Sequence, residues 1–114
     1  MTAAFIKNFA GDNVRYLAES KRYPGDYAGQ YPTTHRWPYG GVGVITPFNF
    51  PLEIPVLQTM GALFMGNKPV LKGDHRCSFP LEQFVRMLHY CGLPKEDLAM
   101  LYATDGKVME KILL

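Results

Sequence analysis

The residues best suited to chemistry stand in a proline-rich turn, Thr46-Pro-Phe-Asn-Phe-Pro51, between a short β-branched run and a long apolar run. Two prolines and two phenylalanines stiffen the junction around Asn49, and a rigid turn can aim its side-chain amide N–H into a crevice. Such a donor stabilises a developing oxyanion and contributes on the order of 3 kcal/mol to transition-state binding. The alternative is that Asn49 caps the following helix, and on residue types alone capping is the simpler interpretation.

Three further polar residues stand at the end of the next apolar run, Pro69-Val-Leu-Lys72, or just after it. The ammonium group of Lys72 can reach a ribose hydroxyl or a phosphate, or it can be a solvated strand end. Asp74 and His75 come directly after, and each can contact a ribose or serve as a polar loop residue. Because ligands of open α/β sheets bind beyond the carboxyl ends of the strands, we expect these residues and the turn at 46–51 to share one edge.

The elements that must position these residues alternate from residue 42 onward. The pattern predicts strands at 42–45, 69–72 and 98–102, and helices at 52–65, after the N-cap Ser78, and after Thr104-Asp105-Gly106. Short connections between alternating strands and helices indicate a parallel sheet with right-handed crossovers. The predicted fold is therefore α/β, with the first half of a Rossmann-like sheet of three strands and flanking helices.

The N-terminal third lacks the alternation of strands and helices that begins at residue 42. Apolar residues at helical spacing predict a helix over residues 3–20, which Gly11 weakens. Prolines and glycines exclude a helix over 21–41 and leave a long loop, or two short edge strands near 28–30 and 34–37. We therefore expect three parts: an N-terminal helix (1–22), an extended flap (23–41) and a partial nucleotide-binding unit (42–114).

Composition narrows the function classes. With 114 residues, 47% of them hydrophobic and 19% charged, the chain is one globular unit at most. A net charge of +2 gives no reason to expect nucleic acid, and no apolar run is long enough to insert into a membrane. Cys77 and Cys91 suggest no disulfide, and three scattered histidines show no metal-ligand spacing.

Several motifs resemble the aldehyde dehydrogenase superfamily, in order and over nearly the whole chain. They are Thr46-Pro-Phe-Asn-Phe-Pro51, Gly66-Asn-Lys-Pro-Val-Leu-Lys72 and Cys91-Gly-Leu-Pro94. The stretches Pro47-Phe-Asn-Phe-Pro-Leu-Glu-Ile-Pro-Val-Leu-Gln58 and Arg36-Trp-Pro-Tyr-Gly40 are most similar to the plant-type Δ1-pyrroline-5-carboxylate dehydrogenase branch.

The resemblance implies roles for individual residues. Asn49 matches the asparagine whose amide forms the oxyanion hole. Thr46, Pro47 and Phe48 match the turn on the nicotinamide-ribose side of the cofactor cleft, and Lys72 matches the lysine that contacts the adenosine ribose of NAD. The family commonly continues Lys-Pro-Ser-Glu where this chain has Lys72-Gly-Asp-His75. His75 thus replaces the ribose-binding glutamate, which leaves NADP open beside NAD.

The resemblance also sets limits on activity. The family's catalytic cysteine and general-base glutamate lie further along than these 114 residues, so the chain is expected to be a fragment without activity of its own and with poor affinity for NAD alone. The intact enzyme would oxidise glutamate semialdehyde to glutamate in proline catabolism, as a homo-oligomer in the mitochondrial matrix, with the cytoplasm as the alternative. The competing hypothesis is an inactive, truncated structural subunit of a heteromeric complex.

Overall fold

A computed structural model describes residues 1–113, and its centre is a parallel sheet of three strands. The strands are β3 (Gly41–Ile45), β4 (Lys68–Lys72) and β5 (Ala99–Leu101), in the order β3-β4-β5. Helix α3 (Glu53–Phe64) connects β3 to β4, α4 (Ser78–Tyr90) connects β4 to β5, and α5 (Gly106–Leu113) follows β5. The register pairs Ile45 with Lys72 and Lys72 with Leu101, so the three strands end together. The predicted α/β half-sheet is confirmed.

The core lies where the central strand meets helix α4. Leu71 of β4 and Leu81 of α4 are almost fully buried and form one cluster with Val85 and Leu98. Each buried aliphatic side chain of this kind stabilises the fold by roughly 1.5–3 kcal/mol. Because β4 is the middle strand and carries the best-buried side chain of the sheet, it fixes the position of the loop that follows Lys72.

Both long helices end in the same way. Gly66 after α3 has φ +79° and Gly92 after α4 has φ +106°, in the left-handed region that glycine enters without steric cost. The Gly66 and Asn67 amides donate to the carbonyl groups of Leu63 and Ala62, which is a Schellman motif. These motifs turn the chain directly into β4 and toward β5.

The single helix predicted over residues 3–20 is wrong. The structure has α1 (Thr2–Phe9), a 3₁₀ turn (Gly11–Asn13) and a short helix α2 (Val14–Leu17). Gly11 adopts φ +59°, which a right-handed helix does not accommodate but glycine permits. The apolar residues keep helical spacing on both sides of this break, and for that reason the spacing predicted one continuous helix.

Residues 21–34 form a two-stranded ribbon, in which β1 (Lys21–Arg22) pairs antiparallel with β2 (Thr33–Thr34). The ribbon therefore starts two residues before the predicted flap (23–41). The strand predicted near 28–30 is wrong, because Gly29 has φ +84° inside the connecting turn. The strand predicted at 34–37 begins one residue earlier and stops at Thr34, and the segment expected to be helical through 22 already contains β1. The chain measures 59 × 32 × 26 Å, and its radius of gyration of 17.4 Å exceeds the roughly 13 Å of a compact chain of this length.

Candidate functional site

A cleft of about 290 Å³ opens at the carboxyl edge of the sheet. Its lining consists of Ile45, Lys72, Asp74, His75, Ala103, Thr104, Asp105, Gly106 and Met109. The structure therefore brings Lys72, Asp74 and His75 together with the segment after β5, as expected from parallel topology. A larger groove of about 550 Å³ adjoins this cleft, shares His75 with it, and continues past Ser78, Glu82, Tyr102 and Val108.

The turn after β3 is bonded to the same edge through one residue. The backbone N–H of Thr46 donates to the carbonyl oxygen of Lys72 at 3.1 Å, which extends the pairing of β3 and β4 beyond Ile45. Thr46 is buried, and its Oγ1 has no hydrogen-bond partner within residues 1–113. A buried hydroxyl without a partner is uncommon, and this one lies at the carboxyl end of β3, enclosed by protein and outside the cleft lining.

Asn49 lies exposed in this turn, outside the cleft lining. Helix α3 begins at Glu53, its N-cap position is Leu52, and no side chain caps its first turn. The capping interpretation of Asn49 is therefore wrong, because the residue lies three positions before the cap. Pro47 and Phe48 are exposed beside it, and neither lines the Lys72 cleft.

The loop after β4 is organised by Asp74 and Arg76. The backbone N–H of Arg76 donates to Asp74 Oδ1 at 3.0 Å, and the guanidinium donates to both carboxylate oxygens at 2.8 and 3.0 Å. The side-chain hydrogen bonds from Arg76, with the backbone bond next, hold the pKa of the Asp74 carboxyl well below its usual range. Asp74 is therefore ionised at neutral pH, and both of its oxygens already have partners.

Asp74 also corrects the predicted helix cap. Asp74 occupies the N-cap of a 3₁₀ turn (His75–Cys77) that leads into α4, whereas Ser78 is already the first residue of the helix and donates its hydroxyl to the His75 carbonyl. An aspartate bonded to the amide two positions later is the usual arrangement of an Asx turn, and that signal was present in the sequence.

The guanidinium of Arg76 also lies over the ring of Phe48, 3.8 Å from its centroid. One side chain thus contacts both the turn after β3 and the loop after β4. Sequence reasoning missed Arg76, since no local pattern links it to a residue 28 positions earlier.

The cleft has two nitrogen-bearing side chains, those of Lys72 and His75. The Nδ1 atom of His75 lies 3.8 Å from Asp74 Oδ1 and the ring is half-exposed. Across the cleft, Asp105 Oδ1 accepts a hydrogen bond from the Lys107 amide at 2.9 Å, so Asp105 caps α5 as the predicted helix start implied.

The part of the chain that the structure describes contains neither a metal-binding cluster nor a membrane-spanning helix. No three His, Cys, Asp or Glu side chains there are grouped so that they could hold a metal ion. None of the helices in residues 1–113 has the length and apolar character required to cross a bilayer.

Comparisons with known proteins agree on one family. The aldehyde dehydrogenase family profile matches residues 1–114. The chain is 58% identical over all 114 residues to Delta-1-pyrroline-5-carboxylate dehydrogenase 12A1, mitochondrial, from Arabidopsis thaliana, and 59% identical to a probable aldehyde dehydrogenase from Linum usitatissimum. It spans about 20% of the length of each of these relatives.

Solved structures are similar over the same region. An NADP-dependent enzyme from Escherichia coli superposes with a TM-score of 0.83 at 25% identity, over 94% of this chain and 22% of that one. Proline utilization A from Bradyrhizobium japonicum superposes with a TM-score of 0.75 at 28% identity, over 96% of this chain and 11% of that one. With the strand order and the motif at 46–51, these matches show that the chain belongs to the aldehyde dehydrogenase family.

Proposed function

We propose that the protein containing this chain oxidises glutamate semialdehyde, the open form of Δ1-pyrroline-5-carboxylate, to glutamate with NAD(P) as acceptor. The observation that carries the proposal is the 58% identity over all 114 residues to a plant Δ1-pyrroline-5-carboxylate dehydrogenase. The similarity to proline utilization A supports the same place in proline catabolism. The family's cysteine nucleophile and general-base glutamate would come from sequence beyond these residues.

Asn49 would serve as the oxyanion donor. Its side chain is exposed at the end of β3 and is not engaged in capping α3, so its amide N–H remains available to a reacting carbonyl oxygen. A preorganised amide donor acts on charge that develops in the transition state and therefore raises kcat more than it lowers KM.

The residues at the strand ends fit a dinucleotide. Lys72 and His75 line the 290 Å³ cleft as hydrogen-bond donors for ribose or phosphate oxygens, and Thr46 would begin the cofactor-binding turn at the neighbouring strand end. Pro47 and Phe48 would form the wall on the nicotinamide-ribose side. Bound there, the nicotinamide would supply the hydride acceptor.

Asp74 takes a different part in this proposal. Since both of its carboxylate oxygens are bonded to Arg76, it would shape the cofactor loop and not contact the ribose directly. His75 replaces an acidic ribose ligand and carries no negative charge that would repel a 2′-phosphate. Both NAD and NADP are therefore candidate cofactors. By similarity to the mitochondrial relative, we place the protein in the mitochondrial matrix, as a homo-oligomer.

The experiment is Asn49→Ala in the intact protein, assayed with glutamate semialdehyde and with NAD or NADP in parallel. We expect kcat to fall by about 10²–10³-fold with a smaller change in KM. The matched control is Asn13→Ala, another exposed asparagine, whose side chain bonds only the Lys7 carbonyl. Unchanged kcat in the Asn49 variant would overturn the oxyanion role, and an inactive wild-type protein would overturn the proposed reaction.

A further inference from the structure

We propose that Arg76 is a positioning residue that holds the turn carrying Asn49 against the loop after β4. The evidence is one guanidinium group with two partners, the Asp74 carboxylate at 2.8 and 3.0 Å and the Phe48 ring at 3.8 Å. Phe48 directly precedes Asn49, so fixing its ring restricts the backbone that aims the Asn49 amide. The consequence for catalysis rests on the proposed function, whereas the clamp itself does not.

The geometry requires a planar, forked cation. Two parallel N–H donors satisfy the two Asp74 oxygens while the guanidinium face remains free to stack on an aromatic ring, a combination that lysine cannot reproduce. The Asp74 anchor is itself fixed, because Oδ1 also accepts the backbone N–H of Arg76 at 3.0 Å. The Asp74 carboxylate therefore fixes the donor edge of the Arg76 guanidinium, and one face of the guanidinium lies against Phe48.

The turn needs such an external contact. Four consecutive residues, 47–50, are exposed, and α3 begins only at Glu53 without a side-chain cap. The one backbone hydrogen bond that ties the start of this segment to the sheet comes from the Thr46 amide. The half-exposed Phe48 ring gives the turn a second attachment point, well before α3 begins at Glu53.

Limited chymotrypsin digestion of the intact protein tests the clamp without an activity assay. Cleavage after Phe48 reports opening of the turn, since Phe50 is followed by a proline that blocks cleavage, and cleavage after the exposed Tyr27 supplies an internal reference. We expect Arg76→Ala to raise the ratio of Phe48 to Tyr27 cleavage on the order of threefold, in line with loss of a partly exposed cation–π contact, with a smaller rise for Arg76→Lys.

The matched control is Arg86→Ala. Arg86 donates through two guanidinium nitrogens to Glu82 on the same helix, but it is not stacked on an aromatic ring in the described structure. An equal cleavage ratio in the Arg76 and Arg86 variants would overturn the clamp, and so would full retention of the wild-type ratio in Arg76→Lys. If Arg76→Ala fails to fold, hydrogen exchange of the Phe48, Asn49 and Phe50 amides in Arg76→Lys against wild type decides in the same way.

A kinetic readout then separates positioning from general stability. In an active intact enzyme, Arg76→Ala is expected to lower kcat severalfold because Asn49 would be displaced, and to raise the KM for the cofactor because Phe48 and the loop shaped by Asp74 would lose the same contact. A cleavage effect without any change in kcat would overturn the catalytic consequence alone. Absence of dehydrogenase activity in the wild type would count against the proposed function and would leave the cleavage result standing.

Discussion

The Oδ1 atom of Asn67 accepts the backbone N–H of Tyr39 at 2.6 Å and that of Gly40 at 3.2 Å. The same side chain donates through Nδ2 to the Ala62 carbonyl at the end of α3. A residue at the close of one helix thus fixes where the preceding strand β3 enters the sheet. The backbone of Lys68 adds a further bond to the Gly40 carbonyl at 2.7 Å.

Asn67→Ala should therefore destabilise the protein, because the part-buried Gly40 amide and the exposed Tyr39 amide both lose their acceptor. We expect a loss of about 1–3 kcal/mol in the free energy of unfolding, measured by urea denaturation. Asn13→Ala, which removes one exposed side-chain hydrogen bond, should change it by less than about 0.5 kcal/mol. Equal effects of the two substitutions would contradict the bridging role of Asn67.

A second prediction concerns the loop glycine between Lys72 and Asp74. A Cβ atom at Gly73 would lie 2.6 Å from Cδ2 of Leu81, a fully buried core residue. Gly73→Ala should cost about 1–3 kcal/mol from overpacking. In a Leu81→Ala background the added methyl has room, so the cost of Gly73→Ala should largely vanish there.

The double-mutant cycle of Gly73→Ala and Leu81→Ala measures the coupling free energy between the two positions, which tests the packing contact directly. Gly43→Ala is the matched control, since a Cβ at that strand position would meet nothing within 4 Å. A cost for Gly73→Ala that is unchanged by Leu81→Ala would contradict close packing against Leu81 as the reason for the glycine.

The extent to which these features were predictable differs between local and non-local contacts. The strands and the two long helices follow from β-branched runs, apolar runs and glycine stops, all of which are local signals. The break at Gly11 was also local, but apolar spacing on both sides concealed it until φ +59° was known. The Asp74 cap was readable from the sequence, whereas the stacking of Arg76 on Phe48 joins residues 28 positions apart and depends on the register of β3 and β4.

A third prediction is that Asp74 makes stability depend on pH in the acid range. Arg76 and, at 3.8 Å, His75 face its carboxylate, and its pKa in the folded protein is well below the ordinary range. A carboxyl group with a depressed folded pKa stabilises the fold fully above its unfolded pKa of about 4, and this contribution is lost as the pH falls through the folded pKa.

The urea midpoint of the wild type should therefore fall more steeply below about pH 4 than that of Asp74→Asn, and the two proteins should converge at the acid end. Glu82→Gln removes the exposed partner of Arg86 on α4 and should leave the acid slope close to that of the wild type. Parallel pH profiles for the wild type and Asp74→Asn would contradict an ionised Asp74 held by Arg76.

The last prediction concerns the 114-residue chain expressed by itself. Large apolar side chains remain exposed on the flap and on the edge strand, including Trp37 at 80% and Ile45 at 62%. The open side of β3 has no neighbouring strand among residues 1–113, and an exposed strand edge with apolar side chains promotes association.

We expect the isolated chain to sediment above its 12.9 kDa mass and to melt over a broad range. Ile45→Lys should reduce this association because a charge on an edge strand opposes pairing, whereas Phe79→Lys, at a more exposed position on α4 away from the sheet edge, should have little effect. A single 12.9 kDa species with a sharp cooperative melt would show that the half-sheet is stable without a covering partner.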